Sequence, residues 1–195
     1  MASEAFVIKV PCSSANIGPG FDVIGLALSM YLELHVTIDR SKSKSEYPLN
    51  CLVTYEGQGG DEISLDPDAN LLTRVALYVL RCHEQRSFPV ETHVHIKNPI
   101  PLGRGLGSSG AAVVAGVLLG KQCGGLDHLD NDRLFDYCLM IGMILTQRAP
   151  EYLADIHHYR AAPGQCGRST VRRVRGDLLE ATRTRGRGTY RDPPG

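Results

Sequence analysis

Hydrophobic and polar residues follow two periodicities, which interleave along the first 141 residues. Period-two alternation predicts strands over four segments, residues 5–10, 32–38, 51–55 and 93–97. Apolar residues at helical spacing predict three helices, over residues 70–82, 108–119 and 130–141. Strands and helices that alternate in this way are typical of a mixed α/β (α+β) domain.

Local signals refine the predicted elements. Asn70 is a suitable N-cap for the first helix. In the third helix we expect one side to carry Leu134, Phe135, Cys138 and Ile141. Residues 11–20 are rich in Ser, Asn, Gly and Pro, which predicts a turn-rich stretch.

Composition narrows the class of protein. Hydrophobic residues make up 43% and charged residues 22% of 195, as in soluble globular domains. No apolar run approaches the roughly 20 residues of a membrane span, and the N-terminus lacks a signal-peptide pattern. We therefore expect a cytoplasmic protein with no membrane partner. The six cysteines form no C-x-x-C pair, which favours reduced, mostly buried thiols over disulfides or zinc.

Charge divides the chain into two dissimilar parts. Residues 1–141 hold 11 basic and 16 acidic side chains, whereas residues 142–195 hold 10 basic and 5 acidic ones. All ten basic residues of the second part are Arg. The acidic body argues against a nucleic acid partner, and the hydrophobic periodicity fades after residue 141.

A glycine-rich loop precedes the second helix. Residues 99–112 read PIPLGRGLGSSGAA, with glycines at 103, 105 and 107 and two serines at the predicted helix start. Glycines allow a ligand to approach the backbone, and a helix N-terminus attracts anions such as phosphates. The loop is not a Walker A motif, and its match to G-x-G-x-x-G is weak. A glycine turn with a purely structural role is the alternative.

Two longer strings carry a family resemblance. The string P-x-x-x-G-L-G-S-S-x-A-A, from residue 101, resembles the ATP-phosphate loop of the GHMP kinases. Upstream, PCSSANIGPGFD resembles the N-terminal motif of the homoserine kinases in that family, and residues 68–81 and 136–141 are similar to their fungal form. The resemblance implies a ribosomal-S5-like GHMP kinase N-terminal domain over residues 1–141. The ferredoxin-like C-terminal domain of the family is expected to be missing.

The resemblance also implies a reaction, which is ATP-dependent phosphorylation of the L-homoserine hydroxyl to O-phospho-L-homoserine, in threonine biosynthesis. It implies ATP and Mg²⁺ as cofactors, Ser109 as a Mg²⁺ ligand, and Asn16 and Asp22 as contacts to L-homoserine. It assigns no catalytic base, and it leaves a homodimer of the full-length form open. The ATP phosphates are expected at Pro101, Leu102, Gly103, Arg104, Gly105, Leu106, Gly107, Ser108, Ser109, Gly110 and Ala111.

Two other functions remain as alternatives. The first is another GHMP small-molecule kinase of the mevalonate type, although the SSANIGPGFD string favours homoserine. The second is a non-catalytic RNA-binding module, because S5-like domains occur on RNA and the last part of the chain is rich in Arg.

Residues 142–195 do not resemble the family's continuation. After the equivalent of Ile141 the family has a segment like E-R-H-P-D-N, whose Glu binds Mg²⁺ and whose Asn lies near the reactive hydroxyl, but this chain has GMIL. Codons 142–143 can contain the splice donor GTATG and codons 159–160 the acceptor TACAG. Removal of the bases between them would shift the frame so that the tail can encode ERHPDNV. We interpret residues 142–195 as an out-of-frame or disordered tail, and we expect this truncated chain to be inactive.

Overall fold

The computed structural model describes residues 3–15, 17–20 and 24–146, which form a four-stranded sheet and three helices. The predicted mixed α/β class is confirmed. In chain order the elements are β1 (Glu4–Ala15), β2 (Gly25–Asp39), β3 (Cys51–Gly57), α1 (Leu71–Cys82), β4 (Glu91–Asn98), α2 (Ser108–Gly124) and α3 (Asn131–Thr146).

The sheet has the strand order β1-β2-β4-β3. The β1–β2 and β2–β4 pairs are antiparallel, whereas β3 and β4 are parallel. Helix α1 provides the crossover that a parallel pair requires. The order places β4, which leads into the glycine-rich loop, in the interior of the sheet.

One face of the sheet carries the main hydrophobic core. Leu34 of β2 lies opposite Ile8 of β1 and Ile96 of β4, and all three are buried beneath α1 and α2. The other face is polar, as shown by the 2.8 Å ion pair between Lys9 and Glu33. This division follows from the period of two, because successive side chains point to opposite faces.

Helix α2 packs closely against α1. A Cβ added at Gly116 would lie 2.5 Å from the backbone oxygen of Leu72, and one at Gly120 would lie 2.9 Å from that of Ala76. These glycines allow the close approach of the two helices. Contacts with α1 continue at Gly120 beyond the predicted end at residue 119, and the helix ends at Gly124.

Helix α3 packs on the other side of α1 and α2. Leu134, Tyr137 and Ile141 are buried in a second hydrophobic cluster with residues of both helices. The prediction that Phe135 shares the apolar side of the helix with Leu134 and Ile141 is wrong, because its side chain is 53% exposed. Tyr137 takes the buried position, with its ring edge-on to Tyr78 at 6.3 Å.

The hairpin formed by β1 and β2 is longer than the sequence predicts. Residues 11–15 continue β1 instead of forming a turn, because they pair with β2 residues between Gly25 and Tyr31. A register shift between Pro11 and Cys12 accommodates the irregular pairing. Long-range backbone hydrogen bonds therefore override the local turn propensity of this segment.

The cysteines of the described part of the chain are free thiols, as expected. Cys12, Cys51 and Cys123 are buried, and burial raises the pKa of Cys51 to about 12, so this thiol stays protonated. Cys166 lies outside the described residues, as does most of 142–195. Over the described ranges, no helix is sufficiently long and apolar to cross a membrane.

Candidate functional site

The glycine-rich loop between β4 and α2 exposes its backbone. Gly103 and Gly105 have φ angles of +65° and +72°, a left-handed conformation that favours glycine. A Cβ at either position would find no atom within 4 Å. These two glycines are therefore required by the turn rather than by packing, and the space next to them can admit a ligand.

The N-terminus of α2 opens onto this loop. Gly107 is the N-cap, with φ 64° and ψ 30°, and it provides no side-chain cap. The first turn contains no acidic residue, and Ser109 and Gly110 are exposed. The first N–H groups of an α-helix have no partner within the helix, and its dipole is positive at this end. The arrangement is suited to an anion.

Strand β1 lies directly against the loop. The backbone N–H of Ser13 donates to the carbonyl oxygen of Leu106 at 3.1 Å. A Cβ added at Gly107 would lie 2.4 Å from Ser13 Oγ and 2.9 Å from the Ser13 carbonyl oxygen. The end of β1 therefore fixes the position of the loop at the point where α2 begins. Sequence reasoning did not identify Ser13 as part of this region.

The two candidate substrate residues, Asn16 and Asp22, lie outside the described residues. Ala15, which precedes Asn16, is paired across the β1–β2 ladder with Gly25, which lies three residues after Asp22. The candidate residues 101–111 form the described part of the site, in which the side chain of Arg104 is exposed.

A buried amide beneath the loop was also missed by sequence reasoning, which ended the strand before Asn98. Asn98 is 6% exposed, and its Nδ2 donates to Ser108 Oγ at 3.2 Å and to the Tyr55 hydroxyl at 3.1 Å. Its Oδ1 accepts from the Ile100 N–H at 3.1 Å. A polar residue at the end of a buried strand, just before a glycine loop, is the signal that could have found it.

A metal ion would find few protein ligands here. Over residues 3–15, 17–20 and 24–146, no group of three or more His, Cys, Asp or Glu side chains could hold one. Ser109 is exposed at the start of α2, and its hydroxyl is a hard oxygen of the kind that Mg²⁺ binds. Mg²⁺ commonly combines one or two protein oxygens with phosphate oxygens and water. One serine oxygen at this position is compatible with a Mg²⁺ ion that is bound mainly by a nucleotide and water.

Comparison with known proteins connects this geometry to one family. Residues 70–156 match the family described as the GHMP kinases N terminal domain. The chain is 59% identical over 142 residues to the homoserine kinase of Saccharomyces cerevisiae. The matched region covers 71% of this chain and 40% of that protein. The chain thus spans about 40% of the length of the curated relatives it matches.

Two solved structures are similar to this chain in fold. The homoserine kinase of Cytophaga hutchinsonii is 25% identical, with a TM-score of 0.54 over 69% of this chain and 40% of that one. The mevalonate kinase of Methanococcus jannaschii has a TM-score of 0.53 over 73% of this chain and 47% of that one. At 15% identity, the second likeness concerns the fold alone.

Proposed function

We propose that the N-terminal part of this chain belongs to the homoserine kinases of the GHMP kinase family, and that it is the ATP-binding part of an enzyme that phosphorylates L-homoserine. The observation that carries the proposal is the open loop at residues 101–107, which faces the uncapped N-terminus of α2. Residues 101–111 would hold the ATP phosphates through backbone N–H groups and serine hydroxyls. Residues 1–141 would form the nucleotide-binding domain.

The proposed reaction transfers the γ-phosphoryl group of ATP to the primary hydroxyl of homoserine. The hydroxyl oxygen forms the new bond to phosphorus, the bond to the bridging oxygen of ADP breaks, and the hydroxyl proton is released. Catalysis of this kind depends on positioning and on neutralising charge. We assign these roles to the loop and the start of α2, and we assign no general base. Asn16 and Asp22 would contact the amino acid.

Ser109 would contribute one oxygen to Mg²⁺, which compensates phosphate charge when it is bound. The carboxylate that the family resemblance supplies for the same ion is not encoded after Ile141. Loss of this compensation removes several kcal/mol of transition-state stabilisation, on the order of the effect of a catalytic metal. We therefore propose that the 195-residue chain binds ATP weakly and does not turn over.

Two measurements on the purified 195-residue chain test this function. Calorimetric titration with ATP should detect weak binding, and Gly107→Val should abolish it, because a branched side chain would crowd the loop. A coupled assay should detect no homoserine-dependent release of ADP, whereas a chain translated in the family's frame after residue 141 should turn over. Robust turnover by the 195-residue chain would show that the carboxylate assigned to Mg²⁺ is not required, or that another residue takes its role.

The substrate panel distinguishes the alternatives. The chain translated in the family's frame after residue 141 should use homoserine in preference to mevalonate. The likeness to a mevalonate kinase concerns the fold only. We also propose a cytoplasmic location and no nucleic acid or membrane partner. The proposal leaves open whether the full-length form is a homodimer. These parts are supported by the sequence interpretation alone.

A further inference from the structure

The buried amide of Asn98 connects three elements beneath the loop. It ends β4, and its Nδ2 group donates both to Ser108 at the start of α2 and to Tyr55 of β3. Its Oδ1 accepts from the Ile100 N–H, and its backbone oxygen accepts from the Gln58 N–H at 2.9 Å. Each hydrogen-bonding group of this side chain is therefore used.

These contacts fix the direction of the hydrogen bond to Ser108. A backbone N–H can only donate, so the atom that faces Ile100 must be the amide oxygen, and the NH₂ group must face the two hydroxyls. The Tyr55 hydroxyl donates to the Gln58 carbonyl oxygen at 2.6 Å, which is consistent with its accepting from Asn98. Ser108 Oγ is likewise an acceptor, and its own hydrogen points away from the amide.

We infer that Asn98 is a positioning residue, which holds the Ser108 hydroxyl as a donor toward a phosphate oxygen of the nucleotide. The inference rests on the proposed function of the loop. A serine hydroxyl rotates freely and can present either a lone pair or a hydrogen to an anion. Asn98 occupies one of the two lone pairs of Ser108 Oγ, and a phosphate oxygen, which can only accept, would take the hydrogen. Asn98 itself is buried beneath the loop, and we assign it an effect on the nucleotide only through Ser108.

A double-mutant cycle on the full 195-residue chain tests this coupling. ATP affinity is measured by calorimetry for wild type, Asn98→Asp, Ser108→Ala and the double variant. Asp keeps an oxygen for Ile100 but replaces the donor by an acceptor, which would attract the Ser108 hydrogen. Effects of the added charge or of altered packing appear in both backgrounds and cancel in the cycle.

We expect Ser108→Ala to weaken ATP binding about tenfold, as for the loss of one hydrogen bond to a charged group. Asn98→Asp should weaken binding in the wild-type background about tenfold more than in the Ser108→Ala background. Asn98→Ser, which can keep the bond to the N–H two residues ahead, serves as a second variant without a new charge. Thr54→Val is the matched control, since it removes a 2.8 Å hydrogen bond to His95 on the exposed face of the sheet and should not change ATP affinity.

The outcomes separate the inference from the function on which it rests. Equal losses in the two backgrounds, or unchanged ATP affinity in Ser108→Ala, would overturn the positioning role while the nucleotide site stands. Absence of ATP binding by the wild-type chain would instead overturn the proposed function, and the inference with it. Non-additive losses in the cycle, with no effect of Thr54→Val, would establish the role of Asn98.

Discussion

Replacing Gly107 by alanine should destabilise the domain through two separable effects. Gly107 has φ +64°, so any residue with a Cβ is strained in this conformation. The added Cβ would also lie 2.4 Å from Ser13 Oγ and 2.9 Å from the Ser13 carbonyl oxygen. The second contact is with backbone that is held in the β1–β2 ladder, so it cannot be relieved by a side-chain rotation.

The other end of the same helix provides a matched control for the strain. Gly125, the C-cap of α2, also has φ +64°, but a Cβ there would meet nothing within 4 Å. Gly125→Ala should therefore cost only the left-handed conformation, about 1–2 kcal/mol. Gly107→Ala should cost about 1–3 kcal/mol more, as for overpacking of a filled site.

Urea denaturation of the two variants measures this difference, provided that the m-values stay constant. ATP titration adds a second comparison, because Gly107→Ala displaces the start of α2 and should weaken binding, whereas Gly125→Ala should not. Ser13→Ala should not rescue Gly107→Ala, since the backbone oxygen of Ser13 remains. Equal destabilisation by the two glycine replacements would refute the packing of the loop against β1.

Three further predictions concern packing, pH and the origin of the tail. Gly116→Ala should lower stability by about 1–3 kcal/mol because α1 blocks the added Cβ, whereas Gly110→Ala, which meets open space, should not; chemical denaturation distinguishes the two. Burial and the nearby His128 lower the pKa of His83 below its ordinary 6.5, so the unfolded chain binds this proton more readily. Stability should therefore fall as the pH drops below 6.5, and the fall in melting temperature should be smaller in His83→Gln; equal pH profiles would contradict this. Sequencing of the spliced transcript should show removal of the bases between codons 142 and 160, and a transcript that retains them would argue against the frame shift.

Much of the local structure was predictable because the sequence signals are local. Asn70 caps α1, and its side chain accepts from the Leu72 N–H at 3.0 Å as the residue type suggests. The glycines at 103, 105 and 107 predict a turn before a helix, and all three have positive φ. The homoserine kinase resemblance likewise depends on contiguous strings, so residues 101–111 could be proposed as a site before any contact was known.

The tertiary structure decided what depends on distant pairing. Residues 11–15 carry turn residues, yet they form a strand because residues 25–31 provide the hydrogen-bonding partners. Phe135 lies at an apolar helical position but is exposed, since the packing of α3 on α1 and α2 selects Tyr137 instead. The sequence by itself determined most elements and the conformation of the glycine-rich loop, because propensity and glycine conformation are properties of neighbouring residues. Only the fold could bring Ser13 to that loop and Tyr55 to Asn98 beneath it, because strand order joins residues that lie far apart along the chain.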